Sequence, residues 1–221
     1  MKIPTGISSL GLSIYKFRKS SALICTKYYR LYKVRTRHFF RLPIRIIIGA
    51  SSTRESGWIS TEQDFFDLTD QDTISKFLSK SKVDAYLLEH VLEHLSVDDS
   101  ELALSLLANT LKPDGYIRIA VPDGNHPDDD YLRYVGIDGP DDHKHLWRVG
   151  DFERISDELG LNLTALEFCD ELRVRRKIQQ LDDRGLITRR FLNLNSDHSN
   201  WQSSIGPSSL IVDLQKNTST A

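Results

Sequence analysis

The sequence predicts an α/β domain built on a mainly parallel sheet, and two stretches carry that expectation. In the first, the apolar run Lys82–Leu88 leads directly into the acid- and histidine-rich turn Glu89-His90-Val91-Leu92-Glu93-His94-Leu95. In the second, an amphipathic segment ends at Lys112-Pro113-Asp114-Gly115 and is followed by a further apolar run, Tyr116–Val121. Strand, crossover helix and strand in that order give parallel pairing. The charged turn then falls at the carboxyl end of a strand, where open α/β sheets hold their ligands.

The remaining elements follow from local pattern. Residues 10–41 have few breakers and read as helix up to Pro43. Ile44–Ile48 is a β-branched run between Pro43 and Gly49, the mark of a buried strand, and Gly49-Ala50-Ser51-Ser52 is a turn of small residues. Trp58–Glu62 is the second strand, Asp67–Asp70 a loop and Thr73–Lys80 a short helix. Ser96 and Asp99 have capping-box spacing, and the helix they open runs to about Leu111 with Ala103, Leu106, Leu107 and Leu111 on one face. Pro113-Asp114-Gly115 is a turn by composition. Gly124–Lys144 is an acidic loop, Asp151–Leu159 a helix stopped by Gly160, and Leu163–Phe168 a strand. Residues 171–207 are irregular apart from a basic helical piece at Arg173–Gln180, and Ser209–Leu214 is the final strand, with the last strands open to antiparallel pairing.

Composition sets the outer limits. With 221 residues, 39% hydrophobic and 27% charged, the chain has room for one soluble α/β domain and an extension. Its cysteines, Cys25 and Cys169, are far apart and lack CxxC spacing, so reduced thiols are expected rather than a disulfide framework or a cysteine zinc site. The net charge of −2 hides an asymmetry: of 29 Lys and Arg, twelve lie in residues 1–54, which contain no Asp or Glu. The other 17 face 31 acids, leaving about −14 on the rest of the chain.

The expected organisation is a basic extension over 1–42, a domain over 43–216 and a tail over 217–221. Tyr15, Phe17, Tyr28, Tyr29, Tyr32, Phe39 and Phe40 interleave the basic residues of the extension. Aromatics can pack on the domain while the charges are solvated; the same pattern suits an anionic membrane surface or a protein partner, and nucleic acid less well. No signal-peptide core and no run of about 20 apolar residues is present, so a cytoplasmic protein, at most peripheral at a membrane, is expected.

Candidate chemistry concentrates at the carboxyl ends of the strands. Gly49 allows close backbone approach, although the three glycines of GxGxxG are absent. Glu62 ends the second strand, where a carboxylate can accept two hydrogen bonds from a ribose diol, and Asp67 could accept from an adenine amino group. His90-Val91-Leu92-Glu93-His94 matches the inverted zinc-protease pattern H-x-x-E-H. That mechanism needs both histidines inside one helix and a further ligand; the motif begins at a strand end, so zinc hydrolysis is the weakest alternative.

These residues together resemble the class I S-adenosylmethionine-dependent methyltransferases, in particular small bacterial ones with an EHVLEHL element. The matching residues are Ile46–Ser51, Gly57–Glu62, Asp67-Leu68-Thr69, Val83-Asp84, Glu89–Leu95, Leu111–Tyr116 and Val121-Pro122-Asp123. His145-Leu146-Trp147, the helix Asp151–Leu159 with Gly160-Leu161, and Ser209–Asp213 also fit, so coverage runs from about 44 to 216.

The resemblance implies a Rossmann-like seven-stranded sheet with a reversed last strand, S-adenosyl-L-methionine as cofactor, and methyl transfer to a small-molecule or sugar acceptor, O-methylation first. It places Gly49, Ala50 and Ser51 under the methionine part, Glu62 on the ribose, Asp67 and Leu68 at the adenine, and Glu89 and His90 beside the transferred methyl. A hydroxyl acceptor must lose its proton, and His90, His94, His143 and His145 stand where a base is needed, with His90, His94 and His145 the leading candidates. In some quinone-type relatives acids and a histidine at this element hold a divalent metal, which would here be His90, Glu93 and His94; no metal is expected. The reduced glycine turn, and Glu62 where Asp is usual, leave a catalytically degenerate partner module as the alternative.

Overall fold

The computed structural model describes residues 25–50, 55–78, 80–177, 184, 185, 187 and 209–217. One sheet of seven strands organises them: β1 (Arg45–Ile48), β2 (Ile59–Ser60), β3 (Val83–Glu89), β4 (Leu111–Pro122), β5 (Leu161–Cys169), β6 (Arg175–Lys177) and β7 (Ser209–Lys216). The spatial order is β2-β1-β3-β4-β7-β5-β6. β1 pairs in parallel with β2 and β3, and β3 with β4. β7 is antiparallel to both β4 and β5, so β1 to β5 share one direction and the last strand is reversed.

The helices are α1 (25–39), α2 (Gln71–Leu78), α3 (Val97–Thr110), α4 (Asp129–Val135) and α5 (Val149–Leu159), with a single 3-10 turn at Leu92–His94. Their starts are chemical. Ser96 Oγ accepts from the Asp99 amide at 3.1 Å and donates to Asp99 Oδ2 at 2.7 Å, which opens α3 where the capping spacing placed it. Asp70 Oδ1 accepts from the Asp72 amide at 2.9 Å, so α2 begins two residues before the expected Thr73. Gly160, at φ 63°, ends α5 in the left-handed conformation that glycine adopts at little cost.

The apolar faces of these helices bury the sheet. Val34 of α1, Ile74 and Phe77 of α2, Ala103, Leu104 and Leu107 of α3, and Phe152 and Ile155 of α5 join Ile46, Ile48, Tyr86, Leu88, Ile117 and Ile119 in the main core. A smaller core on the other side of the sheet contains Ile47, Trp58, Leu87, Tyr116, Ala120 and Ile187. Neighbouring strand residues divide between the two, as strand alternation requires.

Four expectations are corrected. The basic piece at Arg173–Gln180 is not helical where it is described: Arg175–Lys177 is a strand paired antiparallel with β5. Its charges favoured helix on propensity, and the open edge of the sheet decided otherwise. The Gly124–Lys144 loop contains α4, capped by Asp128 accepting from the amides of Asp130 and Tyr131. Pro113-Asp114-Gly115 does not separate α3 from the next strand but lies within β4, in a register irregularity opposite Val83–Ala85. A side chain at Gly115 would stand 2.9 Å from the Lys112 carbonyl oxygen and 3.1 Å from that of Val83, so this approach needs glycine. The second strand is only Ile59–Ser60, because the chain turns after Thr61 toward a helical turn at Glu62–Phe66.

Candidate active site

The order of the parallel strands sets the place. β1 lies between β2 and β3, so the connections leave it in opposite directions, and a crevice opens at the carboxyl ends of β1 and β3. Gly49 closes β1 at φ +61°, and a Cβ there would lie 2.9 Å from Val91 Cγ2. Glycine is thus needed both for the backbone angle and for the turn after β3 to come close. The Ala50 amide donates to the Thr61 carbonyl at 3.0 Å, and the Thr61 amide donates to the Ile47 carbonyl at 2.7 Å, which ties the β1 turn to the end of β2.

That tie places Glu62, half-buried, beside the turn. Asp67 Oδ1 accepts from the Thr69 amide at 2.9 Å and from Thr69 Oγ1 at 2.8 Å, which fixes the next loop and leaves Oδ2 outside that turn. Leu68 next to it is buried. Ser51 lies outside the described residues. Two carboxylates able to accept hydrogen bonds, a buried apolar residue and a glycine turn thus stand at this end of the sheet, a set whose chemistry is compatible with S-adenosylmethionine.

Glu89, half-buried, ends β3, and His90 follows at φ 56°, uncommon for a residue with a side chain and held by its amide donating to the Ala120 carbonyl at 2.8 Å. This backbone setting aims the imidazole between two partners: Nδ1 is 2.8 Å from Glu93 Oε1, and Nε2 is 3.0 Å from Ser209 Oγ at the start of β7. Glu93 is fully buried, yet neither carboxylate oxygen has a hydrogen-bond partner among the described residues. The His90–Glu93 contact is therefore a close approach without the geometry of a directed hydrogen bond.

The remaining candidate histidines, His94, His143 and His145, sit on the 3-10 turn and on the loop before α5. The Lys144 amide donates to the Glu93 carbonyl at 2.7 Å, docking the loop against that turn. His143 Nδ1 meets the Val135 carbonyl at 2.7 Å, and its ring packs edge-on against His94 with centroids 4.9 Å apart. His145 turns elsewhere: its Nε2 is 3.6 Å from Asp151 Oδ2, and its ring packs edge-on against Trp147 at 4.6 Å. Of the three leading candidates, His90 lies in the crevice, His94 borders it with His143, and His145 is drawn to the start of α5.

Sequence reasoning missed Ser209, which comes from the far end of the chain, and a buried network beyond β4. Asp123 there accepts from the Asn125 amide at 2.9 Å and the Cys169 amide at 2.6 Å. Burial raises the Asp123 carboxyl above its ordinary range and pushes the Cys169 thiol up to about 12, with the Asp123 charge adding to the latter. His126 closes the network, its ring tilted 44° against that of Tyr131 with centroids 4.1 Å apart and its Nε2 3.1 Å from the Arg175 guanidinium. The only sequence signal was Val121-Pro122-Asp123.

The structure also bears on H-x-x-E-H. His90 is at a strand end, and only Leu92–His94 form a 3-10 turn, so the two histidines do not share the helix that a zinc protease needs.

A family model described as a methyltransferase domain matches residues 29–166, well over half of the chain. No curated protein matches the sequence. Among solved structures, a SAM-dependent methyltransferase from Archaeoglobus fulgidus is similar at 20% identity and a TM-score of 0.49, over 86% of this chain and 94% of that one. An O-methyltransferase family protein from Burkholderia thailandensis is similar at 12% identity and a TM-score of 0.45; it covers 80% of this chain, which spans only 45% of its length. The magnesium protoporphyrin IX methyltransferase of Synechocystis PCC 6803, with bound SAH, is similar at 10% identity and a TM-score of 0.43, over 86% and 83%. The matched domain, the strand order and the reversed last strand agree: this chain belongs to the class I S-adenosylmethionine-dependent methyltransferases.

Proposed function

We propose that this protein transfers a methyl group to a hydroxyl of a small-molecule or sugar acceptor, with His90 as the base. The observation that supports it most is the placement of His90: at the carboxyl end of β3, in an uncommon backbone conformation, between Glu93 and Ser209. When bound, S-adenosylmethionine supplies an electrophilic methyl on a sulfonium. Glu62, Asp67, Leu68, Glu89 and the Gly49–Ser51 turn hold it in this reading. A hydroxyl attacks only as its proton leaves; Nδ1 faces Glu93, so in this reading Nε2 receives the proton, with the Ser209 hydroxyl 3.0 Å away passing its own proton to Nε2 as it takes that of the acceptor.

The test uses S-adenosylmethionine with a tritiated methyl and a panel of sugars and phenols. The expected result is label in a hydroxyl acceptor, with turnover falling roughly 100-fold or more in His90→Gln while S-adenosylhomocysteine affinity stays within about threefold. Unchanged turnover in that variant rules His90 out as the base. Cofactor binding with no acceptor labelled favours the degenerate partner module.

A second proposal concerns where the protein works. α1 and the turn after it expose Tyr28, Tyr29, Tyr32, Phe39 and Phe40 among Lys27, Arg30, Lys33, Arg35, Arg37 and Arg41. Beyond its end, a cavity of about 480 Å³ at the amino ends of the strands combines Phe39 and Leu42 with Arg41, Lys80, Lys82 and Lys112. Exposed aromatics within a cationic field fit an anionic phospholipid surface. No helix among the described residues is long and apolar enough to cross a membrane. Sedimentation with vesicles containing about one-third phosphatidylserine should carry the protein down, neutral vesicles should not, and Phe39→Ser with Phe40→Ser should lower the bound fraction severalfold. Equal partitioning to both vesicle types would refute the proposal.

A further inference from the structure

We propose that Glu93, His94 and His143 form a binding site for one divalent transition-metal ion of the zinc type. One ligand atom from each residue can be chosen so that all lie within 4.8 Å of one another. Donors around a single tetrahedral ion, each ~2.0–2.2 Å from it, are roughly 3.5 Å apart, so small side-chain rotations close the site.

Two further observations point to an ion. The first is the Glu93 carboxylate, fully buried and with neither oxygen hydrogen-bonded among the described residues. Its Oε1 has the close approach of His90 Nδ1 at 2.8 Å but Oε2 has no such neighbour among the described residues; a buried carboxylate so poorly satisfied is costly, and a directly coordinated cation offsets the cost. A carboxylate has two oxygens, so Glu93 can meet His90 with one and a metal with the other.

The second is the setting of His143. Its Nδ1 lies 2.7 Å from the Val135 carbonyl oxygen, which can only accept, so Nδ1 donates and Nε2 is the nitrogen through which the neutral ring would ligate. A histidine ligand held by a carbonyl on its other nitrogen is the usual way a protein fixes ring orientation and tautomer for a metal.

The ligands come from two segments already joined. Glu93 and His94 lie on the 3-10 turn after β3, and His143 on the loop whose Lys144 amide donates to the Glu93 carbonyl at 2.7 Å. His94 is exposed, so the site is open to solvent on that side. Two imidazoles and one carboxylate without a thiolate suit Zn²⁺, Co²⁺ or Ni²⁺ better than Ca²⁺ or Mg²⁺. Three protein ligands leave a fourth position for water or for an oxygen of the acceptor. The set differs from H-x-x-E-H: His143 from a distant loop takes the place of His90. Metal binding here stands or falls separately from cofactor binding.

The experiment strips the full-length protein with chelator and titrates it with Zn²⁺ by calorimetry, then with Co²⁺ by visible absorption. One equivalent should bind saturably, and Co²⁺ should give the intense bands of a tetrahedral site. His143→Ala and Glu93→Gln should each weaken binding at least tenfold, whereas the exposed α1 variant His38→Ala should not. Circular dichroism identifies any variant that fails to fold. Should Glu93→Gln unfold, His143→Ala and the Co²⁺ spectrum decide. Absence of saturable binding to the wild type, or unchanged affinity in folded His143→Ala, overturns the proposal.

Discussion

Arg118→Ala should cost about 3–5 kcal/mol of folding stability, the largest effect of any single substitution considered. Arg118 is fully buried in β4, directly opposite Asp213 in the β4–β7 register. Its Nε and one terminal nitrogen donate to the two Asp213 oxygens, each at 2.8 Å, and the other terminal nitrogen donates to the Gly185 carbonyl at 3.1 Å. The fork geometry satisfies both charges at once. Removing the guanidinium leaves Asp213 as a buried anion in the centre of the sheet, with the more distant Arg184, at 3.5 Å, as its remaining ion-pair partner among the described residues. The loss comes from stranding a charge more than from losing an attraction. Arg118→Met combined with Asp213→Leu should therefore recover most of the stability, because neither charge remains. Urea unfolding followed by circular dichroism measures all three. A loss below about 1 kcal/mol in Arg118→Ala would show that the pair does not hold β4 to the reversed strand.

Glu62→Ala should weaken S-adenosylhomocysteine binding by tenfold or more, about 1.4 kcal/mol or above. Glu62 follows Thr61, whose amide is bound to the Ile47 carbonyl at the end of β1, so the carboxylate is fixed beside the Gly49 turn rather than carried on a free loop. A diol that has left water for a partly buried site needs both of its acceptors, and alanine leaves two hydroxyls unpaired. Glu62→Asp keeps the charge and should lose less. Equal affinity in wild type and Glu62→Ala would move the ribose site elsewhere.

Much of the fold was legible because strong local signals agreed with it. Pro43 and Gly49 bracket β1, Ser96 and Asp99 open α3, and Gly160 ends α5, each through backbone chemistry that depends on few neighbours. Arg173–Gln180 misled because an edge strand takes its conformation from pairing with β5, which composition does not show. Of the candidate site, Gly49 and His90 directly follow β1 and β3 as the sequence pattern indicates, and Glu62 stands two residues past the shortened β2; their roles are proposals. Ser209, 119 residues beyond His90, could not be joined to it by any local pattern. The same holds for His143: what matters is the carbonyl on its Nδ1 and the amide tie of Lys144 to Glu93, both products of tertiary packing.

The most direct test of the whole account is calorimetric titration of the purified chain with S-adenosylhomocysteine, wild type beside Glu62→Ala. The account expects one equivalent bound with micromolar affinity, about 8 kcal/mol, and a clear loss in the variant. No binding at millimolar ligand would contradict it and leave this methyltransferase domain without a working cofactor site.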